Sequence, residues 1–139
     1  LLVLASVEER KGIPELLEAA GRLRAARGPV LDVTVLGPPR VSQGRLQEWK
    51  QVGADRGVHF RGSKPQEAVQ AELRACEGLL LPSRAEGLPF ALLEAMAATR
   101  PVLAARSGAV GELLSEGAGD LVPPRDPEAL AEALIAKPS

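Results

Sequence analysis

The stretch Gly78-Leu79-Leu80-Leu81-Pro82-Ser83-Arg84-Ala85-Glu86-Gly87-Leu88-Pro89-Phe90-Ala91-Leu92-Leu93-Glu94-Ala95-Met96-Ala97 decides the fold of this chain. Gly78 to Leu81 is a short apolar run suited to a buried strand, Pro82 to Pro89 is rich in breakers, and Phe90 to Ala98 consists mostly of strong helix formers. A strand that passes through a loop into a helix is one unit of a parallel sheet. Its loop lies at the carboxyl edge, where ligands bind, and the open N–H groups of the helix's first turn favour an anion such as a phosphate. Glu86 and Glu94 flank that helix start. A helical side chain leans toward the N-terminus, so the Glu94 carboxylate is expected over Phe90 and Ala91. An ionised carboxylate is an acceptor with two oxygens, suited to a sugar diol, whether ribose or hexose. Glu86 is placed to hold a second set of hydroxyls on the other side of the phosphates.

The same strand and helix rhythm runs outward in both directions. Strands are expected at Leu1 to Ala5, Asp32 to Leu36, Val58 to Phe60, Gly78 to Leu81, Val102 to Ala104 and Gly119 to Val122. Helices are expected at Ile13 to Arg27, Gly44 to Asp55, Pro65 to Cys76, Phe90 to Ala98, near Val110 to Ser115, and at Pro127 to Ala136. This alternation predicts an α/β fold: a Rossmann-like three-layer α/β/α arrangement of about six parallel strands with helices on both faces. Ser63 with Gln66 reads as a capping box with Pro65 in the first turn, and Asp126 before Pro127 as an N-cap and first-position pair. No sequence repeat and no low-complexity linker interrupts the pattern.

Composition narrows the function. At 139 residues the chain is about one domain, long enough to bury roughly two-thirds of its unfolded surface. Its 17 Lys and Arg nearly balance 18 Asp and Glu, and two Phe and one Trp cannot build stacking platforms, so nucleic acid is not expected as a partner. Cys76 is the only cysteine, which excludes an internal disulfide and fits a buried small hydrophobe. No apolar run reaches the length of about 20 residues that crosses a bilayer, and no signal sequence is visible, so membrane association is not indicated and a cytoplasmic setting is expected. The chain opens inside a strand, as a piece trimmed at a domain boundary would. Trp49 is expected as a half-buried ring at an edge. His59 is assigned no chemistry, because no second His or Cys accompanies it to hold a metal.

Lys11 stands in the loop after the first strand, where a cation at a helix start opposes the helix dipole unless an anion is present. Gly12 beside it favours close backbone approach. Together with these, the segment bracketed by Glu86 and Glu94 resembles the donor-site signature of the retaining glycosyltransferases of family 4, in which two glutamates enclose seven residues. The resemblance extends over Lys11-Gly12, Val35-Leu36-Gly37, His59-Phe60-Arg61-Gly62, Leu81-Pro82-Ser83, Glu94-Ala95-Met96-Ala97, Pro101-Val102 and Gly108-Ala109-Val110-Gly111-Glu112. It covers nearly the whole chain, but only the C-terminal, donor-binding half of a GT-B enzyme. An N-terminal acceptor-binding domain is the implied missing partner, and residues 1–139 the single nucleotide-sugar-binding domain.

That resemblance implies roles residue by residue. Lys11 and Glu86 take the catalytic positions, the first on the departing diphosphate and the second on the transferred sugar. Gly87, Leu88, Pro89, Phe90 and Ala91 bind the diphosphate through main-chain N–H groups, and Glu94 takes the ribose hydroxyls. Gly12 lets the backbone approach, while the Gly37 loop and the turn from Arg61 to Lys64, with Gly62, Ser63 and Lys64, flank the base. The implied substrate is a uridine, guanosine or adenosine diphosphate sugar, with no separate cofactor and no metal, and the reaction is transfer of a hexosyl group to an acceptor hydroxyl with retained configuration. The isolated domain is expected to be inactive. Three departures from the family pattern stand out: Ser6 replaces an arginine that contacts the diphosphate, Thr99 replaces a glycine, and Ala109 replaces another. Arg10 is offered as a substitute for the arginine. These departures leave a catalytically degenerate binding or assembly module as the alternative. A glycosidase would not need a phosphate-binding helix, and an epimerase would need acid and base groups not visible here. Glu112 matches a family loop near the cleft, or simply starts a helix.

Overall fold

A computed structural model describes residues 1–27, 31–86, 89–114 and 117–136. Its six strands are β1 (Leu2–Leu4), β2 (Val33–Leu36), β3 (Val58–Phe60), β4 (Leu79–Leu81), β5 (Val102–Ala105) and β6 (Asp120–Val122). The helices are α1 (Ile13–Arg27), α2 (Gln43–Ala54), α3 (Gln66–Ala75), α4 (Phe90–Ala97), α5 (Val110–Leu113) and α6 (Pro127–Ala136). Every ladder is parallel and the order is β3-β2-β1-β4-β5-β6. That is the doubly wound order, in which the direction of winding reverses between β1 and β4 and opens a crevice at their carboxyl ends. The expected fold is therefore present, with most element ends within two residues of the sequence reading.

Alternation along each strand divides the core in two. Val3, Leu80, Leu103 and Ala105 face a layer formed by α1, α2 and α6, through Ile13, Leu16, Leu23, Trp49 and Leu130. Leu2, Leu79, Leu81, Val102 and Ala104 face the opposite layer through Leu73 of α3, Leu92 of α4 and Val110 of α5. Burial on both faces explains why the strands read as continuous apolar runs instead of alternating ones. Trp49 corrects the expectation of a half-buried ring. It is 5% exposed within the first layer, with the Arg45 guanidinium 5.7 Å from its ring centroid. Cys76 is partly buried, its thiol donates to the Leu73 carbonyl, and burial pushes its pKa up.

The caps divide into one that local sequence foretold and one that it did not. Asp126 accepts from the Ala129 N–H at 2.9 Å and caps α6. The proposed Ser63 box is absent: α3 starts on an extended Pro65 with no side-chain cap, and the Pro65 carbonyl receives Ala68 and Val69. Instead Ser42 caps α2 by accepting from the Arg45 N–H. At the far end of α4, Thr99 donates to the Met96 carbonyl and Arg100 to that of Ala95, the paired bonds of a Schellman turn. This turn forces Thr99 to a φ of 56°, a left-handed conformation that a β-branched residue adopts only under strain. Thr99→Gly is thus expected to stabilise the chain by about 1 kcal/mol and to raise the midpoint of thermal unfolding by about 3 °C, read by circular dichroism.

Candidate functional site

The loops that follow β1, β2, β3 and β4 meet at the carboxyl edge of the sheet, drawn together by glycines that admit no side chain. Gly12 has a φ of 79°, and a methyl group there would sit 1.9 Å from the Pro82 carbonyl oxygen. One on Gly37 would sit 1.8 Å from the Ala5 oxygen, and the Gly37 N–H donates to Gly62 across the next gap. The Arg84 N–H donates to the Arg10 carbonyl at 2.8 Å. The loop after β1 therefore lies directly against the loop after β4, at the point where the winding reverses.

Across that seam Lys11 and Glu86, 75 residues apart in sequence, form an ion pair with Nζ 2.6 Å from Oε1. Their side chains are 15% and 11% exposed. Sequence reading placed both at the site but did not pair them. Beside them Arg84 donates from Nε and Nη2 to Glu15, an 8% exposed carboxylate of α1, with distances down to 2.6 Å. That hydrogen bond, with burial opposing it and the Glu15 charge adding to it, holds the Arg84 guanidinium pKa above its ordinary value. Ser83, 2% exposed, has a hydroxyl with no hydrogen-bond partner among the described residues.

Ahead of Lys11, Ser6 donates to Glu8, whose other oxygen accepts from Arg10 Nε at 3.0 Å. The Ser6 hydroxyl, opposed by burial and joined by the Arg10 and Arg40 charges, draws the Glu8 pKa below the usual carboxylate range. Arg10 pairs with Glu8, and its side chain is 60% exposed.

The start of α4 requires a correction. Pro89 is its N-cap and has no N–H, so it cannot donate to an anion as assigned. Leu92 and Leu93 send their N–H groups to the Pro89 carbonyl, which leaves the Phe90 and Ala91 N–H groups without a partner among the described residues. Gly87 and Leu88 lie outside the described residues. The Phe90 side chain is 72% exposed.

Glu94 also departs from expectation. Its Oε2 accepts from Gln70 and, at 3.3 Å, from Gln66, so the carboxylate is drawn toward α3 and not only back over Phe90. Gln66 lies two residues beyond the turn of Gly62, Ser63 and Lys64, which ties Glu94 to the loop expected to border the base. Sequence reading gave Gln66 only a capping role and passed over Gln70, and it linked neither glutamine to Glu94. They lie one helical turn apart on α3, a spacing that puts both on one face, but nothing local says which face meets α4. Gly62 has a φ of 72° with open space around it, and Ser63 and Lys64 are exposed. Glu112 lies on α5 and is exposed. Among the described residues no group of three His, Cys, Asp or Glu could hold a metal, and no helix is long and apolar enough to cross a membrane.

A lysine ammonium is suited to an anionic group, and carboxylates are suited to hydroxyl donors. At this edge Lys11 and Glu86 form an ion pair, α4 opens at Phe90 after Glu86, and Glu94 on α4 accepts from α3. A family model described as glycosyl transferases group 1 matches residues 1–136. The chain is 31% identical over 150 aligned positions to the amylovoran biosynthesis glycosyltransferase AmsK of Erwinia amylovora, covering 97% of this chain and 35% of that protein. It is 34% identical over 136 positions to a D-inositol 3-phosphate glycosyltransferase of Corynebacterium urealyticum, covering 92% of this chain and 32% of that one. Among solved structures, the C-terminal domain of a group 1 family glycosyl transferase, LpcC of Francisella tularensis, is similar with a TM-score of 0.79 and 26% identity, over 96% of this chain and 72% of that one. The chain thus spans about a third of the length of these curated relatives. With sheet order, crevice and family match coinciding over nearly all its residues, the chain belongs to the group 1 glycosyl transferases.

Proposed function

We propose that this domain is the donor half of a retaining glycosyltransferase that moves a hexosyl group from a nucleoside diphosphate sugar to an acceptor hydroxyl. The observation that carries the reading is the Lys11–Glu86 ion pair, which joins the loop after β1 to the loop after β4 at the winding reversal, with α4 opening at Phe90 shortly after Glu86. As the bond from the anomeric carbon to the diphosphate oxygen stretches, negative charge gathers on the diphosphate and the sugar becomes oxocarbenium-like. The Lys11 ammonium and the Phe90 and Ala91 N–H groups meet that charge, each preorganised donor contributing on the order of 2 to 4 kcal/mol to the transition state. Glu86 accepts from hydroxyls of the transferred sugar, and Glu94 from the ribose diol, steadied by Gln66 and Gln70. Gly37 and the turn of Gly62, Ser63 and Lys64 border the base. The acceptor hydroxyl attacks from the face that the diphosphate leaves, and no protein nucleophile is required.

Residues 1–139 act in this reading as one nucleotide-sugar-binding domain, with the acceptor site supplied by an N-terminal domain. By itself the domain binds donor without turnover, because the acceptor has to be held at the reacting carbon. A cytoplasmic setting accompanies it, in keeping with a chain whose single cysteine is a packed thiol. The second reading, a degenerate binding or assembly module, is favoured by one observation: Ser6 stands where the family carries an arginine, and Arg10 is engaged by Glu8. Calorimetry against uridine, guanosine and adenosine diphosphates separates the two. One of them is expected to bind saturably, and Glu94→Ala to weaken it by more than about tenfold, the loss of a hydrogen-bonded carboxylate. A folded sample that binds neither these three nor the corresponding diphosphate glucoses supports the scaffold.

A further inference from the structure

The donor-site reading leaves one arrangement unaccounted for. The two groups assigned to different parts of the donor, Lys11 to the diphosphate and Glu86 to the sugar, already satisfy each other at 2.6 Å. Each is mostly buried, at 15% and 11% side-chain exposure. A partly buried charge that loses its partner is costly, so a ligand that breaks the pair has to offer a replacement to both members.

The candidates for replacement differ in what they bring. A nucleoside diphosphate without its sugar offers phosphate oxygens to Lys11 and nothing to Glu86. It also sets a second negative group beside a carboxylate that has just lost its cation. A sugar diphosphate offers the same oxygens to Lys11 and, in addition, hydroxyl groups that donate to Glu86. Only the sugar-bearing form replaces both halves of the ion pair. The neighbouring Arg84–Glu15 pair shows the contrast. There the guanidinium grips the carboxylate through two nitrogens and locks α1 to the loop, whereas Lys11 reaches Glu86 with a single rotatable ammonium on a flexible stem.

Resting on the donor-site reading, we infer that the Lys11–Glu86 ion pair is a discriminator that admits the sugar-bearing nucleotide and rejects the spent nucleoside diphosphate. Before binding, the pair keeps both charges compensated. Donor binding exchanges it for two ligand contacts. After transfer the sugar hydroxyls leave Glu86, and the carboxylate reclaims Lys11 from the diphosphate, which promotes product release. Glu86 in this role sets specificity through Lys11 as well as through its own contact with the sugar.

The test compares uridine, guanosine and adenosine diphosphates with the corresponding diphosphate glucoses by calorimetry on the unmodified chain, then carries forward the base that binds. The unmodified protein is expected to prefer the sugar nucleotide by about tenfold or more. Glu86→Gln, which keeps the shape and removes the charge, is expected to bind the plain diphosphate about tenfold more tightly than the parent and the sugar nucleotide no more tightly. Lys11→Ala is expected to cost more diphosphate affinity in the Glu86→Gln background than in the parent, the signature of two groups that compete. Equal affinities of the parent for diphosphate and sugar nucleotide overturn the inference even if Glu86→Gln fails to fold. So does a folded Glu86→Gln protein whose diphosphate affinity is unchanged or lower, while the donor-site reading survives both results. A folded parent that binds none of the six compounds overturns that reading and the inference with it.

Discussion

Replacing Gly12 by alanine is expected to lower the stability of this domain by more than about 3 kcal/mol and to abolish nucleoside diphosphate binding, read by thermal unfolding and calorimetry. Two costs act together. At a φ of 79° an alanine carries the left-handed penalty of about 1 to 2 kcal/mol. Its methyl group would also sit 1.9 Å from the Pro82 oxygen, a backbone atom that cannot rotate aside. The loop after β1 has to lift from the loop after β4, and Lys11 moves away from Glu86 with it. Gly62→Ala provides the control. Gly62 shares a positive φ of 72° but has nothing within 4 Å of the added methyl group, so it should cost only about 1 to 2 kcal/mol. If the two variants are equally destabilised, the close contact with Pro82 contributes nothing and only the dihedral matters.

The second large effect is expected at Arg84, whose guanidinium is the partner of the Glu15 carboxylate. Arg84→Met leaves an acid on the buried face of α1 with its charge uncompensated, a loss of about 3 kcal/mol for a partly buried pair. For a chain of this length that corresponds to a fall of about 10 °C in unfolding midpoint. The double variant Arg84→Met with Glu15→Leu should recover most of the loss, because removing both charges removes the desolvation cost with them. A single variant that melts with the parent would show the pair to be energetically idle. The position of Arg84 also matters to function, since its main chain bonds to Arg10 and its side chain to α1, and the next loop residues carry Glu86. Anchoring Arg84 holds the carboxylate in reach of Lys11.

Local chemistry explains what was legible in advance. The run Gly78 to Leu81 became β4, Phe90 to Ala97 became α4, and Asp126 became the cap of α6, because each depends on a few adjacent residues whose propensities agree. The capping box at Ser63 failed for an equally local reason. Pro65 offers its own carbonyl to the first turn and takes the N-cap position, two residues after the serine. Pro89 belongs to the same class: its missing N–H is a covalent fact, yet the resemblance assigned the whole segment as donors.

The order of strands and helices, the parallel sheet and the acids flanking one helix start were fixed by the sequence itself, since period, breakers and caps act over a turn or two of chain. The partners of those acids were decided by the tertiary structure. Lys11 meets Glu86 across 75 residues, Arg84 meets Glu15 across 69, and Glu94 meets Gln70 across 24. Such contacts exist only once the sheet has ordered itself with β1 beside β4 and the glycines have let the loops close. Before that, each of these side chains is equally well served by water, and nothing in its neighbours distinguishes one partner from another.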